Sequence, residues 1–120
     1  MPETVLATIR RFHDAFNRHD LGALAGLMTG DCVFENTFPP PDGARYEGAE
    51  AVCAAFAEFF ASSPQAQFEA EEMFAAGDRV VVRWVYRWGA DEQDTGHVRG
   101  VDIFRVRDRK VSEKLSYVKG

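Results

Sequence analysis

The apolar residues change their spacing about halfway along the 120-residue chain, and this change constrains the fold more than any other feature. In the first half they recur every three or four positions, which is the period of one helix face. From residue 66 onward they alternate with polar residues, as in a strand with one buried face. Helices followed by a run of strands are typical of an α+β fold, so we expect helices packed on one face of a curved antiparallel sheet. Because no linker, repeat or low-complexity run divides the chain, residues 1–120 are predicted to form one domain.

Three helices are predicted before the sheet. The first covers residues 2–18, and the second begins after Asp20, a good N-cap, and is closed by Thr29-Gly30. The third follows Gly48 and ends near Pro64, since the residue before a proline disfavours helical backbone. Their apolar faces consist of Val5, Ile9, Phe12 and Phe16 in the first, Leu21, Leu24, Leu27 and Met28 in the second, and Val52, Phe56, Phe59 and Phe60 in the third.

A first strand is predicted over residues 32–38, before the loop Pro39–Gly43, whose prolines and glycine exclude regular structure. Four further strands are predicted over residues 66–75, 79–88, 96–107 and 110–118. The segments between these four, including Gly89 to Thr95, are too short for a crossover. Consecutive strands must therefore be antiparallel neighbours.

Alternation along the strands assigns side chains to the two faces of the sheet. One strand places Trp84, Tyr86 and Trp88 together, on the face that the helices must cover. The next strand places Phe104 and Asp102 on the same face. A carboxyl group among aromatic rings must be ion-paired, hydrogen-bonded or held protonated, because a bare buried charge is costly. Asp102 is therefore the strongest candidate for a general acid or base.

A purely structural ion pair is the alternative interpretation of Asp102. Lys114 and Ser116 share one face of the last strand, and either could reach the carboxyl group. On the first strand Asn36 is predicted to point inward, although a register shift of one residue would exchange it for Glu35. An inward asparagine can orient a ligand or hold its own loop, and the sequence leaves both possibilities open.

Composition excludes several classes of function. The 19 acidic and 14 basic residues give a net charge of −5, which disfavours a nucleic-acid or anionic-membrane binder. No apolar run approaches the ~18 residues of a membrane span, and the N-terminus lacks the pattern of a signal peptide, so we expect a cytoplasmic protein. Cys32 and Cys53 are expected to be reduced thiols. The spacing of His13, His19 and His97 does not suggest a metal site, and no phosphate-binding loop or other cofactor motif is present.

Four segments in this order resemble the nuclear transport factor 2-like superfamily, a cone-shaped fold that includes ketosteroid isomerases, limonene-epoxide hydrolases and SnoaL-like polyketide cyclases. They are FHDAFNRHDLGALAGLM, GDCVFEN, YEGAEAVCAAFAEFF and RGVDIFRVRDRKVSEKLSY. The resemblance spans essentially the whole chain. It implies a pocket between the helices and the inner face of the sheet, where strand alternation also places Asp102.

The resemblance disfavours two of the activities found in that superfamily. The positions that resemble the isomerase site are occupied by Phe12, Asn36 and Asp102, and only the last carries an acid. The positions that resemble the acid–arginine–acid set of the epoxide hydrolases hold no charge, since they are Trp84, Tyr86 and Ser116. The SnoaL-like cyclases use one acid/base carboxylate in an aromatic cavity without a cofactor, and Asp102 would match that group.

The sequence thus favours a cofactor-independent isomerase, cyclase or lyase that acts on an apolar or polycyclic small molecule. Asp102 would carry the proton, and Asn36 and Tyr86 would orient polar atoms of the ligand. The ligand-binding walls and polar contacts are predicted to be Phe12, Phe16, Phe56, Trp84, Tyr86, Trp88, Phe104, Lys114 and Ser116. The alternative is a binding or accessory module with the same pocket, in which Lys114 or a loop immobilises Asp102.

The outer face of the sheet combines arginines with apolar residues. These residues are Arg83, Arg87, Arg99 and Arg105, interleaved with Val85, Val101, Ile103, Leu115 and Tyr117. Glu69, Glu71 and Glu113 are placed to neutralise the arginines. Apolar surface on an uncovered face predicts a homodimer through this face, as the superfamily resemblance also implies, and an anion-binding stripe is the alternative.

Overall fold

A computed structural model describes residues 2–88 and 96–119. Within these residues the chain forms three helices and six strands. The helices are α1 (Pro2–Asn17), α2 (Leu21–Gly26) and α3 (Ala49–Ser62), and the strands are β1 (Met28–Glu35), β2 (Arg45–Glu47), β3 (Gln67–Ala76), β4 (Arg79–Trp88), β5 (Gly96–Arg107) and β6 (Lys110–Val118). The expected connection from Gly89 to Thr95 lies outside the described residues. In the described ranges, no helix is both long and apolar enough to cross a lipid bilayer.

The strands form one sheet in the order β2-β1-β6-β5-β4-β3, with the helices against its inner face. The α+β architecture is confirmed, as is the antiparallel meander from β3 to β6. The expectation of a wholly antiparallel sheet is wrong, because β1 runs parallel to β6. Since β2, α3 and the meander separate these two strands in sequence, the chain has the long connection that a parallel pair requires.

The first strand lies earlier in the chain than predicted. It begins at Met28, which pairs with Val111 of β6, so α2 is shorter than its apolar pattern suggested. At its other end the chain leaves the sheet at Asn36, whose Oδ1 accepts a hydrogen bond from the Thr37 N–H at 2.8 Å. The predicted strand residue Phe38 is consequently in the loop and 70% exposed. The three-residue β2 was not predicted, because it is too short to show an alternating pattern.

The helix boundaries otherwise follow local chemistry. The Asp20 side chain accepts a hydrogen bond from the Ala23 N–H at 3.0 Å, which confirms the predicted N-cap of α2. At the end of α1, Asn17 joins the helix to β3 by both donating to the Phe68 carbonyl and accepting from the Phe68 N–H, each at 2.8 Å. These bonds anchor α1 against the sheet.

A register shift in β6 decides which of its side chains point inward. The shift falls where Arg105 and Val106 of β5 pair with Glu113 and Val111 of β6. Val111 and Lys114 are therefore both buried, although their spacing of three would place them on opposite faces of a regular strand. The bulge allows the last strand to contribute both a core residue and a lysine beneath the helices.

Ion pairs cover much of the outer face. Arg87 contacts Glu69 at 3.0 Å, and Arg99 contacts Glu71, whose carboxyl pKa is lowered by that hydrogen bond. The predicted neutralisation by these two glutamates is present. Arg105 instead lies 3.8 Å from Asp78, a partner that strand alternation did not indicate.

Candidate functional site

A cavity of about 260 Å³ lies between the helices and the inner face of the sheet. Its lining brings together all the predicted site residues except Trp88. They are Phe12, Phe16, Asn36, Phe56, Trp84, Tyr86, Asp102, Phe104, Lys114 and Ser116. These residues come from α1, α3 and four strands or their ends, so tertiary packing forms a site that no single sequence motif contains.

The structure places Trp88 outside the lining. The residue lies at the last position of β4, is 44% exposed, and packs against Tyr86 with 5.8 Å between ring centroids. Its place in the alternating pattern of β4 puts Trp88 on the inner face of the sheet. A residue on that face lines the cavity only where the helices also cover the strand. The prediction of Trp88 as a wall residue is therefore corrected.

Aromatic rings in contact with one another form the apolar walls. Phe12 packs edge-on against Phe104 at 5.5 Å, and Phe16 against Phe56 at 5.2 Å. On the sheet side Phe68 stacks on Tyr86 at 4.8 Å. Such contacts add to the free energy of apolar burial and restrict ring motion, so they give the cavity a defined shape.

Sequence reasoning missed several lining residues, namely His13, Phe34, Thr37, Ala55, Phe59, Phe68, Val98 and Val118. The sequence pattern could have identified two of these lining residues. Phe59 lies on the predicted apolar face of the third helix, and Phe34 shares a strand face with Asn36. His13 is half-buried on α1, with its Nε2 2.8 Å from the Phe68 carbonyl oxygen.

The polar end of the cavity is formed by β5 and β6. Asp102 and Ser116 are paired across these strands, and Lys114 lies two residues before Ser116 on the same face. The Lys114 Nζ lies 3.4 Å from Asp102 Oδ2 and donates a hydrogen bond to Ser116 Oγ at 2.9 Å. Both members of the ion pair are buried. The lysine is thus the partner that offsets the charge of the inward acid.

Aromatic rings also surround the Lys114 ammonium. Its Nζ lies 4.6 Å from the ring centroid of Phe34, 5.6 Å from that of Phe16 and 5.9 Å from that of Phe56. The negative ring faces attract the cation and partly replace the water it loses on burial. These rings hold the ammonium beside Asp102 rather than in solvent.

Two buried polar atoms of the lining have no hydrogen-bond partner among the described residues. One is Asp102 Oδ1, the carboxylate oxygen not facing the lysine, and the other is the indole nitrogen Nε1 of Trp84. Buried polar groups are normally hydrogen-bonded, because an unmade bond costs free energy. These two atoms are therefore the buried polar atoms of the described lining residues whose hydrogen bonds are unmade.

Asn36 is at the cavity edge, and its side-chain oxygen holds its own loop. Besides the bond to Thr37, its backbone N–H donates to the Ala44 carbonyl at 2.9 Å. The returning loop packs so closely that a Cβ on Gly43, at φ +79°, would lie 1.7 Å from the Asn36 carbonyl oxygen. The loop residues Pro39–Gly43 are not in the lining, which reaches only to Thr37 on this side.

The remaining titratable groups do not suggest a metal or nucleophile site. Among residues 2–88 and 96–119, no three His, Cys, Asp or Glu side chains are grouped closely enough to hold a metal ion. Cys32 is fully buried, and desolvation raises the pKa of its thiol to about 11. Burial also raises the pKa of Cys53. Because the thiolate is the nucleophilic form, both cysteines are poorly suited to covalent catalysis.

Comparisons with known proteins agree with this architecture. A family model described as a SnoaL-like domain matches residues 9–114. A solved NTF2-like protein of unknown function from Mesorhizobium loti is 44% identical, with a TM-score of 0.85 over 99% of this chain and 93% of the other. No curated protein matches the sequence significantly.

Two more distant structures carry the names of enzymes. A candidate SnoaL-like polyketide cyclase from Jannaschia sp. CCS1 has a TM-score of 0.82 at 20% identity, covering 99% of this chain and 88% of that one. An LEH-like epoxide hydrolase from M. tuberculosis has a TM-score of 0.78 at 15% identity, covering 98% and 80% respectively. At these identities the similarity is one of fold.

Proposed function

Because the chain belongs to the family of SnoaL-like domains, we propose that its cavity binds a small cyclic molecule and that Asp102 transfers a proton on it. The observation that carries this proposal is the state of the two carboxylate oxygens. Oδ2 faces the Lys114 ammonium, whereas Oδ1 is buried in the lining without a partner among the described residues. A base needs such an oxygen within reach of its substrate.

The volume and walls favour a ligand of one or two rings. The cavity of about 260 Å³ is below the range of roughly 300–1,000 Å³ that is typical of pockets for drug-sized molecules. Its walls are mainly aromatic, so most of the ligand surface would be apolar. A compact ring system fits this space better than a four-ring polycycle.

The chemistry that fits this arrangement is proton transfer next to a carbonyl group. Asp102 Oδ1 accepts a proton from the carbon next to the carbonyl group. The C–H electron pair becomes the carbon–carbon double bond of an enolate, and the π electrons of the carbonyl group move onto its oxygen. The carboxyl group then returns the proton to the same carbon or to its vinylogue. The Lys114 ammonium, 3.4 Å from the carboxylate, offsets negative charge in the site throughout.

A non-catalytic binding module is the second candidate. It is favoured by the side-chain oxygen of Asn36, which is used by the loop, and by the ion pair that holds one oxygen of Asp102. The similar structures named as an epoxide hydrolase and a candidate cyclase share only the fold with this chain, at identities of 15% and 20%. The two candidates differ in whether Asp102 changes its protonation during a cycle.

Exchange of carbon-bound protons tests this directly. In D₂O we expect the protein to accelerate the loss of the α-proton NMR signals of cyclohex-2-enone or a related one- or two-ring ketone. Asp102→Asn should lower the rate by about 100-fold or more, because general acid–base catalysis typically contributes that much. Asp42→Asn, an exposed loop carboxylate, is the matched control and should leave the rate unchanged.

The binding-module interpretation predicts a different result. Tryptophan fluorescence would still report ketone binding, but neither the wild type nor Asp102→Asn would accelerate exchange. That outcome would reject the proposed proton transfer while retaining the cavity as a binding site.

We also propose that the outer face of the sheet joins two copies of the chain. Phe74 and Tyr117 are 50% and 52% exposed, although both are large and apolar. The neighbouring arginines are already paired with carboxylates of the same chain. A face that is locally neutral and partly apolar can meet its own copy across a twofold axis without net repulsion. The internal pairing also argues against an anion-binding stripe.

Adding charge to this face should separate the copies. Val101→Glu combined with Ile103→Glu should convert a wild-type dimer into a monomer in analytical ultracentrifugation, because two buried carboxylates would oppose two more across the axis. Ala54→Glu with Ala61→Glu adds the same charge on the exposed face of α3 and should leave the dimer intact. A monomeric wild type, or a folded Val101→Glu/Ile103→Glu variant that remains dimeric, would contradict the interface.

A further inference from the structure

The two unsatisfied atoms of the cavity are close together on the sheet. Asp102 pairs with Val82, and Trp84 pairs with Gly100, so the acid and the indole are diagonal neighbours on adjacent strands. Diagonal neighbours on one face are about 7–8 Å apart at Cα, and long side chains span that distance. The indole also leans toward β5, since a Cβ on Gly100 would lie 2.5 Å from Cζ2 of Trp84. A single small ligand can therefore reach both side chains.

The hydrogen-bonding capacities of these atoms are opposite. The Asp102 carboxylate, paired with the Lys114 ammonium, can only accept, whereas an indole N–H can only donate. A ligand that satisfies both must present one donor and one acceptor. A ligand that presents only one of them leaves a buried polar atom unpaired and loses the corresponding free energy.

The charges in the cavity indicate a neutral ligand. The negative charge of Asp102 is offset by the positive charge of Lys114, which is 3.4 Å away and buried with it. An added charge would be surrounded by aromatic rings without a free counterion among the described lining residues. Burial of an unpaired charge is strongly unfavourable.

We infer that the cavity selects small neutral ring molecules that carry a hydrogen-bond donor and an acceptor on neighbouring atoms, as a lactam does. The N–H of such a ring donates to Asp102 Oδ1, and its carbonyl oxygen accepts from Trp84 Nε1. This inference rests on the proposed function only in placing the ligand in the same cavity, and it names the polar pattern that the ligand must have.

Binding of three closely related probes to the wild-type protein tests the pattern without any mutation. We expect 2-piperidone to bind about tenfold or more tightly than N-methyl-2-piperidone, which lacks the donor, and than methylcyclohexane, which lacks both groups. The indole N–H signals in ¹H–¹⁵N NMR spectra provide the direct readout. The signal of Trp84 should move downfield with 2-piperidone, and that of Trp88, outside the lining, should not.

A matched pair of variants tests the indole. Trp84→Phe keeps an aromatic wall but removes the N–H, so 2-piperidone should bind about tenfold more weakly. The Trp88→Phe variant should bind 2-piperidone as tightly as the wild type does.

Equal affinity for 2-piperidone and its N-methyl derivative, or an unmoved Trp84 signal at saturation, would overturn the inference. If the lactam pattern is observed but Asp102-dependent proton exchange is not, the ligand class stands and the proposed proton transfer fails. If exchange occurs without the lactam preference, the proposed function stands and this inference fails.

Discussion

Lys114→Met should lower the free energy of unfolding by about 3–5 kcal/mol, because it leaves the Asp102 carboxylate buried without its counterion. Methionine preserves most of the side-chain volume and can pack against the same rings, so the loss comes mainly from the uncompensated charge. Urea denaturation monitored by circular dichroism measures the effect. Lys110→Met removes an exposed lysine from the start of the same strand and should change stability by less than about 0.5 kcal/mol.

A second substitution separates charge from packing. Asp102→Leu combined with Lys114→Met removes both charges and should recover most of the stability, since replacing a whole buried ion pair by apolar residues is often neutral. If the single and double variants are equally unstable, the lysine contributes through packing and not through its charge. If Lys114→Met is as stable as the wild type, the buried pair is not an important contact.

Gly100→Ala should destabilise the protein by about 3 kcal/mol or more. The added methyl group would lie 2.3 Å from the backbone carbonyl oxygen of Tyr117 and 2.5 Å from the Trp84 ring. A backbone atom of the adjacent strand cannot move away without disturbing the sheet, so overpacking at this site should be at the upper end of its usual cost. Thermal unfolding followed by circular dichroism provides the measurement.

Gly30→Ala is the matched control, because it also adds a methyl group to a strand glycine but meets nothing within 4 Å. It should leave the melting temperature nearly unchanged. If Gly100→Ala folds, its indole N–H signal for Trp84 should be displaced, since the ring occupies the space that the methyl group needs. A variant with wild-type stability and spectrum would show that the close approach of these strands is not maintained in solution.

Both substitutions affect the same corner of the cavity. Lys114 is the counterion of Asp102, and Gly100 provides the space in which the indole of Trp84 lies. The stability of the fold and the polarity of the site therefore depend on common residues. A substitution at Lys114 or Gly100 is therefore expected to change both the stability of the protein and its ligand binding.

The sequence alone determined the architecture and the approximate place of the site. The change from a helical to a strand period predicted helices on a sheet, and alternation along β4 and β5 placed Asp102, Trp84 and Phe104 on the covered face. These features follow from local geometry, because the burial of one face fixes which alternate residues point inward.

Only the tertiary structure decided how the polar groups of the site are paired. The parallel contact of β1 with β6, the bulge that lets Val111 share the inner face with Lys114 and the exposed end of β4 at Trp88 depend on contacts distant in sequence. So do the choice of Lys114 as counterion and the unpartnered state of Asp102 Oδ1. Alternation assigns a residue to a face, but the partner of each polar atom depends on register shifts and packing that no local pattern records.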